Sequence, residues 1–286
     1  MENWDALRTA RWLAKLGTIS ATAAHLGVHR ATVVRHVDGL EEALGGKLFQ
    51  RHAKGYRPTE AGQDMLAVAS AAAEQFQALA GRTRGRSAGV RGELVLTSIA
   101  LLAPILAPAL AQFHTLHPDC IVHYEASERD YKLAYGEAHV AVRAGAKPKH
   151  PDNVVQPYLT LRSALYAHRS YIEQHGLPSL DQDCRGHVFV GDANPTSRAS
   201  FAKWMRARFP QAPVVFSSAN GAVNDAAVRA GLGIGFLPTR LAQSPDLVQV
   251  HPPEPEWDVP FWLLTHVDLH RTPKVQSICR LLKECI

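Results

Sequence analysis

Side chains between residues 30 and 35 have the chemistry to read the edges of DNA bases. Arg30 and Arg35 carry guanidinium groups, whose paired N–H donors match the acceptor edge of guanine or a phosphate. Ala31, Thr32 and Val34 lie among them and carry methyl groups that pack against the methyl of thymine. We therefore expect this segment to lie in the major groove of double-stranded DNA.

Two helical patterns position these side chains. The first covers residues 20–26, with Ser20 as its expected capping residue, and Gly27 separates it from the second. The second helix, from about Arg30, buries a stripe with helical spacing formed by Val33, Val37, Leu40 and Leu44. Two helices joined at a glycine are typical of a helix-turn-helix, although the same pattern also occurs in helical domains that bind no DNA.

An extended segment follows the second helix and predicts a hairpin. Leu48 and Phe49 begin it, Lys54 and Gly55 form its tip, and Arg57 lies on the returning strand. Such a hairpin is a plausible wing beside the helices. Its basic residues are expected to contact phosphates, and an ordinary solvated hairpin is the alternative; these residues are Arg51, Lys54 and Arg57.

Two further helices flank this region. The first covers residues 3–16, and its inward face is predicted to consist of Trp4, Leu7, Ala10 and Leu13. The second is long and rich in alanine, with Thr59 as its cap, and we expect it to pair with the same helix of another copy. Residues 81–92 then have the composition of a flexible basic linker.

The charge of the chain supports a polyanionic partner for its first third. Of the 286 residues, the first 92 contain 13 basic and 8 acidic residues, which is the whole of the net charge of +5. The remaining residues have equal numbers of both signs. No apolar run approaches a membrane span, the first residues do not resemble a secretory signal, and the four cysteines lack metal-type spacing, so we expect a cytoplasmic protein.

The first sixty residues resemble the LysR-type transcriptional regulators. The resemblance is carried by several motifs, which are Trp4-Asp5-x-Leu7-Arg8-Thr9, Gly17-Thr18-Ile19-Ser20-Ala21, Ala23-Ala24-x-Leu26-Gly27-Val28, Leu40-Glu41-x-x-Leu44-Gly45, Leu48-Phe49-x-Arg51 and Thr59-Glu60-Ala61-Gly62. It implies a winged helix-turn-helix head, a long dimerising linker helix and a two-lobed effector domain that resembles periplasmic binding proteins. It also implies that the protein binds double-stranded promoter DNA and a small-molecule inducer, and that it forms a homodimer or homotetramer. RNA polymerase is a further possible partner.

The chain departs from the family at the start of the recognition helix. The family usually has Ser-Gln and then proline there, and a serine where Val34 stands, whereas this chain has His29, Arg30 and Ala31. Loss of the serine cap is expected to cost about 1 kcal/mol. Arg30 in place of glutamine shifts the preferred base partner from adenine toward guanine or phosphate. Its operator sequence therefore cannot be taken from those of its relatives.

Residues 93–286 alternate short apolar runs with helical patterns, which favours α/β structure with largely parallel strands. The expected strands are Leu94–Thr97, Ile121–Tyr124, Val140–Val142, Leu165–Ala167, Val188–Val190, Val214–Phe216, Ile234–Leu237 and Phe261–Thr265. With the resemblance, the predicted domains are 1–62 for the head, 63–92 for the linker helix and hinge, and 93–286 for the effector domain. Lobe one is expected at 93–161 and 267–286, and lobe two at 162–266. The last helix is expected at about 273–285, with Thr272 as its cap.

Polar residues at the carboxyl ends of these strands are the candidate ligand contacts, because ligands of open α/β sheets bind there. Ser98 and Asn220 have helix capping as an alternative role. Arg143 has as its alternative role an ion pair with Glu128. His139, where many relatives have aspartate, leaves the charge of the inducer open. The candidate residues are Ser98, Ser127, Glu128, Arg143, Thr196 and Asn220.

Other chemistry has weak support in the sequence. The glycines between Ala230 and Gly235 lack the strand-glycine-helix order of a dinucleotide site. Three close histidine pairs, His25/His29, His114/His117 and His266/His270, lack a shared helical face, so surface histidines are expected and no metal or cofactor. A transcriptional regulator that is not an enzyme is the leading hypothesis. A solute-binding module whose head serves assembly, and an α/β enzyme, are the alternatives.

Overall fold

The structure is a computed structural model that describes most of the chain. The described residues are 3–53, 55–83, 90–127, 129, 131, 133, 136–179, 184–191, 197 and 199–286. Among them, no helix combines the length and the apolar character needed to cross a membrane.

The N-terminal head consists of three helices and a two-stranded hairpin. Its elements are α1 (Trp4–Leu16), α2 (Ile19–Leu26), α3 (Arg30–Leu44), β1 (Phe49–His52) and β2 (Gly55–Pro58). Gly17 and Gly27 end α1 and α2 in the left-handed conformation, at φ of 73° and 67°, which glycine adopts without a steric penalty. The head thus has the helix-turn-helix and hairpin that the sequence predicts.

The start of α2 differs from the prediction. Thr18, and not Ser20, is its cap: Thr18 has extended backbone, and its Oγ1 accepts a hydrogen bond from Ala21 N at 3.2 Å. At α1, Asn3 lies just before the helix and its Oδ1 accepts from Ala6 N at 3.0 Å. Both helix starts therefore have a side chain that satisfies a free amide.

The core of the head forms between α1, α3 and α4 (Glu60–Thr83). Ala10 and Leu13 are fully buried there and pack with Leu40 of α3. Trp4 was predicted to face inward, and this is wrong: it is 59% exposed and packs edge-to-face on Phe76 of α4, with ring centroids 5.6 Å apart. The reason is its position in the first turn, beyond the end of the head's core.

Helix α4 begins inside the head and extends away from it. Thr59 is its cap, as predicted, because its Oγ1 accepts from Gly62 N at 3.1 Å. Gly62 lies directly against the carbonyl of Leu48, so that even a methyl group there would displace the backbone. Met65 and Ala69 are buried in the head's core, and α4 is therefore fixed to the head over its first turns.

The first lobe of the body is a five-stranded mixed sheet covered by helices. Its strands, in spatial order, are β4 (Cys120–Ala126), β3 (Gly92–Ser98), β5 (Val140–Ala144), β12 (Val259–His266) and β6 (Asn153–Leu161). The helices are α5 (Ala103–Leu116), α9 (Val267–His270) and α10 (Pro273–Glu284). Leu94, Leu106, Phe113 and Ile278 are buried between the sheet and these helices.

The second lobe contains two smaller sheets. One has the order β10 (Gly235–Pro238), β7 (Ser163–His168) and β11 (Leu247–His251), and the other pairs β8 (Phe189–Gly191) with β9 (Val214–Ser217). The helices are α6 (Arg169–His175), α7 (Ser200–Arg208) and α8 (Gly221–Arg229).

Two features of the predicted body are wrong. The pairing is not largely parallel: β12 runs antiparallel to both β5 and β6, and β7 runs antiparallel to both its neighbours. The boundary of lobe two is also misplaced, because residues 259–266 form β12 inside the sheet of lobe one. Lobe two therefore ends near Asp258. Both errors follow from the way the chain leaves lobe two: it returns to lobe one as strand β12, which pairs with β5 and β6.

The chain crosses between the lobes at two neighbouring places. Arg162 lies at the first crossing, between β6 and β7, and Asp258 lies at the second, just before β12. Arg162 Nε and Asp258 Oδ2 are 3.6 Å apart, so an ion pair joins the two crossings. At the far end of the body, the predicted cap Thr272 makes no capping bond to α10; its Oγ1 donates instead to Leu269 O at 2.7 Å.

Candidate nucleic-acid interface and ligand cavity

The predicted recognition face of α3 lies on the surface of the head. Val33 and Val37 are buried against the other helices, as the spacing predicts, but Leu44 at the end of the predicted stripe is 44% exposed, so the prediction is wrong for that residue in the last turn of α3. Arg30, Ala31 and Arg35 are exposed, whereas two other members of the predicted face are half-buried. The half-buried members of the predicted face are Thr32 and Val34. The helix thus presents two cations and several methyl groups outward.

The start of α3 lacks a side-chain cap. His29 has the extended backbone of a capping residue, with ψ of 150°, but its side chain makes no capping hydrogen bond. Its carbonyl accepts from Thr32 N at 3.0 Å and from Val33 N at 3.3 Å. This agrees with the expectation that the helix start is weaker here than with a serine.

The wing is joined to the recognition helix by charge. In the antiparallel hairpin Arg51 lies opposite Tyr56, and its guanidinium carbon lies 5.5 Å from the centre of that ring. Arg51 NH2 also lies 3.6 Å from Asp38 Oδ1 of α3. Arg51 and Arg57 are both exposed, and Lys54 lies outside the described residues. This ion pair places the guanidinium group of Arg51 beside α3.

Glu41 fixes the wing to α3, and the sequence interpretation gave it no role beyond the family motif. Its side chain is 7% exposed, and one oxygen, Oε1, accepts from Leu48 N at 2.9 Å and Phe49 N at 3.2 Å. The other oxygen accepts from Lys47 Nζ. Burial raises the pKa of Glu41, but the hydrogen bonds from Lys47, Leu48 and Phe49 outweigh it and hold the pKa below its usual value.

A cavity of about 950 Å³ lies between the two lobes of the body. Its wall is largely apolar and aromatic, with a few polar groups. The lining residues are Ile99, Leu101, Tyr131, Leu133, Ala141, Arg143, Ala144, Pro148, His150, Asn153, Leu161, Ser163, Ala199, Phe201, Ser218, Ala219, Gly221, Asn224, Val259, Phe261 and Leu264. A cavity of this size and composition holds a small organic molecule.

Arg143, at the end of β5, is the predicted ligand residue that lines this cavity. Its NH1 donates to Thr97 O and its NH2 to Thr97 Oγ1, each at 3.1 Å. NH2 also donates to Arg129 O at 3.1 Å. The guanidinium group is therefore held in one orientation at the cavity wall.

The other described candidates do not line the cavity. Ser98 is fully buried, Ser127 Oγ accepts from Arg129 N at 3.1 Å, and Asn220 Oδ1 accepts from Ala222 N at 3.0 Å. Asn220 is thus the cap of α8, which is the alternative role expected for it. The two remaining candidates, Glu128 and Thr196, lie outside the described residues.

Several cavity residues carry no motif in the sequence. Asn153 begins β6, and Asn224 lies in the first turns of α8. Phe201 and Phe261 contribute aromatic wall from opposite lobes. Only their positions at strand and helix ends, near the interlobe cleft, could have indicated them.

His139 does not belong to the cavity. It is 8% exposed, and its Nδ1 accepts from Val95 N at 2.9 Å. Its Nε2 lies 2.9 Å from Lys274 Nζ, which also donates to Glu93 O at 2.7 Å. This residue therefore joins α10 to the sheet of lobe one, and it gives no information on ligand charge.

Of the histidines predicted to be surface residues, His25, His29 and His114 are exposed, as predicted, whereas the other three are half-buried and have structural roles. His117 Nε2 lies 2.7 Å from Ser277 Oγ, and His270 Nδ1 lies 2.9 Å from Thr265 Oγ1. Burial lowers the pKa of both histidines. His266 caps α9 and His270 is its last residue, so this pair lies at the two ends of one short helix. Within the described ranges, no three side chains of metal-ligating type come together.

Comparisons with known proteins agree with this geometry in both halves of the chain. Residues 4–63 match the family described as bacterial regulatory helix-turn-helix protein, lysR family, and residues 87–285 match the LysR substrate binding domain. A curated relative is the "Probable HTH-type transcriptional regulator LtrA" of Klebsiella pneumoniae, 27% identical over 288 residues, which cover 94% of this chain and 90% of LtrA.

Solved structures share the fold over the whole chain. ArgP from Mycobacterium tuberculosis superposes with a TM-score of 0.74 at 22% identity, over 98% of this chain and 96% of that one. Full-length LysG from Corynebacterium glutamicum, with bound effector Arg, superposes with a TM-score of 0.71 at 17% identity, over 99% of this chain and 97% of LysG. Since the head and the two-lobed body each match a family profile, and together the profiles cover most of the sequence, the chain belongs to the LysR family of bacterial transcriptional regulators.

Proposed function

We propose that this regulator binds operator DNA through α3 and its wing, and that a small-molecule inducer in the interlobe cavity modulates the binding. The observation that carries the proposal is the exposed face of α3. Arg30 and Arg35 project from it, and Arg51 stands beside it. Arginine forks there would read guanine edges or phosphates, and Ala31 and Thr32 would contact thymine methyls.

A pair of copies joined through α4 would suit this function, because a dimer would bind two half-sites on the DNA. Val68 and Phe76 of α4 are 66% and 56% exposed, and Trp4 of α1 packs beside Phe76. An apolar strip of this kind on a long helix is suited to a second copy of the same helix. We propose a homodimer or homotetramer built on it.

The cavity supports a regulatory ligand. It lies between two lobes that the chain joins at Arg162 and at Asp258, so a ligand that touches both lobes would favour one relative position of them. The bound effector in LysG adds support for a ligand in a protein of this fold. In the proposed function, the altered position of the lobes changes the spacing of the heads on DNA, and RNA polymerase at the promoter responds to it.

Fluorescence anisotropy with a duplex from the region upstream of the protein's own gene tests the DNA half. We expect binding that weakens steeply as salt concentration rises, because phosphate contacts release counterions. Arg35→Gln should weaken binding by about tenfold or more, since one base contact is worth about 1–3 kcal/mol. Val34→Arg should change the preferred sequence. Arg271→Gln, an exposed change on the body, is the control and should bind as the parent does.

An affinity that depends on neither salt nor these α3 variants would contradict the proposal. It would favour a solute-binding module whose helical head serves only assembly.

A further inference from the structure

Asp38 places a negative charge on the face of α3 that would contact DNA. It follows Arg35, Val34 and Ala31 by three, four and seven residues, so the four side chains lie on one side of the helix. The side chain of Asp38 is 50% exposed. Residues with this spacing on a recognition helix reach base edges in the major groove. Asp38 therefore stands where a side chain can read a base, and the sequence interpretation gave it no role.

Two basic residues beside α3 lie near this carboxylate. Arg51 NH2 is 3.6 Å from Asp38 Oδ1, which is an ion-pair distance but is longer than a hydrogen bond. Glu41 most strongly, and Asp38 to a smaller extent, raise the pKa of Lys47 above its usual value. Within the described ranges, the carboxylate of Asp38 accepts no hydrogen bond. Its oxygens therefore keep lone pairs that can accept a hydrogen bond from a base.

The chemistry of a carboxylate restricts the base that it can contact. An acidic side chain on a DNA-binding face is repelled by the phosphates, and it accepts hydrogen bonds without donating any. In the major groove, cytosine presents only the amino donor at N4. Adenine has its N6 donor beside the acceptor N7, and guanine and thymine present acceptors. Cytosine is therefore the base that suits Asp38, and the other three would face it with an acceptor.

We infer that Asp38 is a specificity-determining residue, whose carboxylate accepts a hydrogen bond from cytosine N4 in each half-site of the operator. Its main effect is to exclude other bases, because its charge lowers the affinity for DNA in general and the cytosine contact offsets that loss at one position. Each half-site thus contains a C·G pair in addition to the bases that the arginines of α3 contact. This inference rests on the proposed function, in which α3 enters the major groove.

Selection from a library of duplexes tests the inference with the full-length protein. The duplexes carry a random central segment between fixed flanks, and the bound fraction is sequenced. We expect the parent to select a C·G pair at one position of each half-site. Asp38→Asn should select adenine at that position, because an amide pairs with both N6 and N7 of adenine. Asp38→Ala should show no preference there, and all three proteins should select the same bases elsewhere.

Affinity measurements on the selected duplex give the size of the effect. Its partner is the same duplex with that C·G pair changed to T·A. The parent should bind the second duplex about fivefold or more weakly, and Asp38→Ala should bind the two equally. On a duplex that the library does not enrich, Asp38→Ala should bind more tightly than the parent, because the repulsion of the phosphates is removed.

Asp64→Asn is the matched control, since Asp64 is an exposed aspartate near the start of α4. It removes the same charge from outside α3 and the wing, and it should keep the parent's selected sequence and its discrimination between the two duplexes.

The outcomes separate this inference from the proposed function. If Asp38→Asn and Asp38→Ala select the same bases as the parent, or if the parent selects no C·G pair where the variants differ from it, the inference is wrong and Asp38 is half of a surface ion pair. If the parent selects no sequence from the library at all, the proposed function itself fails.

Discussion

At the scale of single residues, Glu41 is the group that links recognition helix and wing. It is nearly buried and accepts hydrogen bonds from two backbone amides and one lysine. Its position relative to the hairpin sets where Arg51 stands beside α3. The proposed DNA-binding surface is thus supported from inside the head by a buried carboxylate.

Glu41→Gln is expected to destabilise the head by about 1–3 kcal/mol, the range for hydrogen bonds to a charged group. Its pKa is lower in the folded protein than in the unfolded chain, so the ionised side chain stabilises the fold above its unfolded pKa. That contribution is lost as the pH falls through the lower, folded value. Urea unfolding at neutral pH and in acid measures this: the difference between parent and variant should shrink in acid.

The control for this change is Glu42→Gln, because Glu42 is the neighbouring exposed carboxylate. It should change stability by less than about 0.5 kcal/mol at either pH. An equal effect of both variants would mean that the buried hydrogen bonds of Glu41 contribute nothing specific.

At the scale of elements, the start of α3 is the weak point of the head. His29 occupies the capping position without a capping bond, whereas Thr18 and Asn3 cap their helices. The helix that would enter the groove therefore has a less stable first turn than its neighbours. DNA would have to hold that turn in place.

His29→Ser should supply the missing acceptor and stabilise the first turn of α3 by about 1 kcal/mol. Amide hydrogen exchange is a suitable measurement, since it reports local opening of residues 30–44. We expect slower amide exchange in α3 for His29→Ser. Thr18→Ala removes an existing cap and should give faster amide exchange in α2. Unchanged exchange in α3 would show that the histidine already serves as an adequate cap.

Elements of the fold were predictable where their signals are local. Spacing of apolar residues located α3, and apolar runs located eight strands, all of which are present. β6 and β11 were not predicted. In β6, Pro157 interrupts the pattern, at a point where the pairing with β12 shifts register. The direction of β12 depends on partners about a hundred residues away, which no local pattern records.

In the cavity, Arg143 was predicted from its place at a strand end, whereas Asn153 and Asn224 come together only through the fold of both lobes.

At the scale of the whole molecule, α4 and the residues that follow it connect the head to the body in the sequence. The head fixes the first turns of α4, and its later exposed apolar residues are the proposed contact with a second copy. Assembly would place two heads at a set distance. Affinity for DNA then depends on assembly as well as on contacts to bases.

Val68→Glu should raise the dissociation constant of self-association by at least about tenfold, because pairing would bury an uncompensated charge. Sedimentation equilibrium measures the effect. Leu177→Glu is the matched control, since Leu177 is an apolar residue of lobe two with 67% exposure against 66% for Val68. If both variants self-associate with the same dissociation constant as the parent, this part of α4 does not lie in the interface.

The two crossings between the lobes lie next to each other, and the side chains of Arg162 and Asp258 approach each other there. If the lobes move relative to one another, the movement would be centred on this shared edge, and the opposite mouth of the cleft would open or close. A ligand in the cleft would then change the angle between the lobes, and the assembly would receive the signal as a rotation.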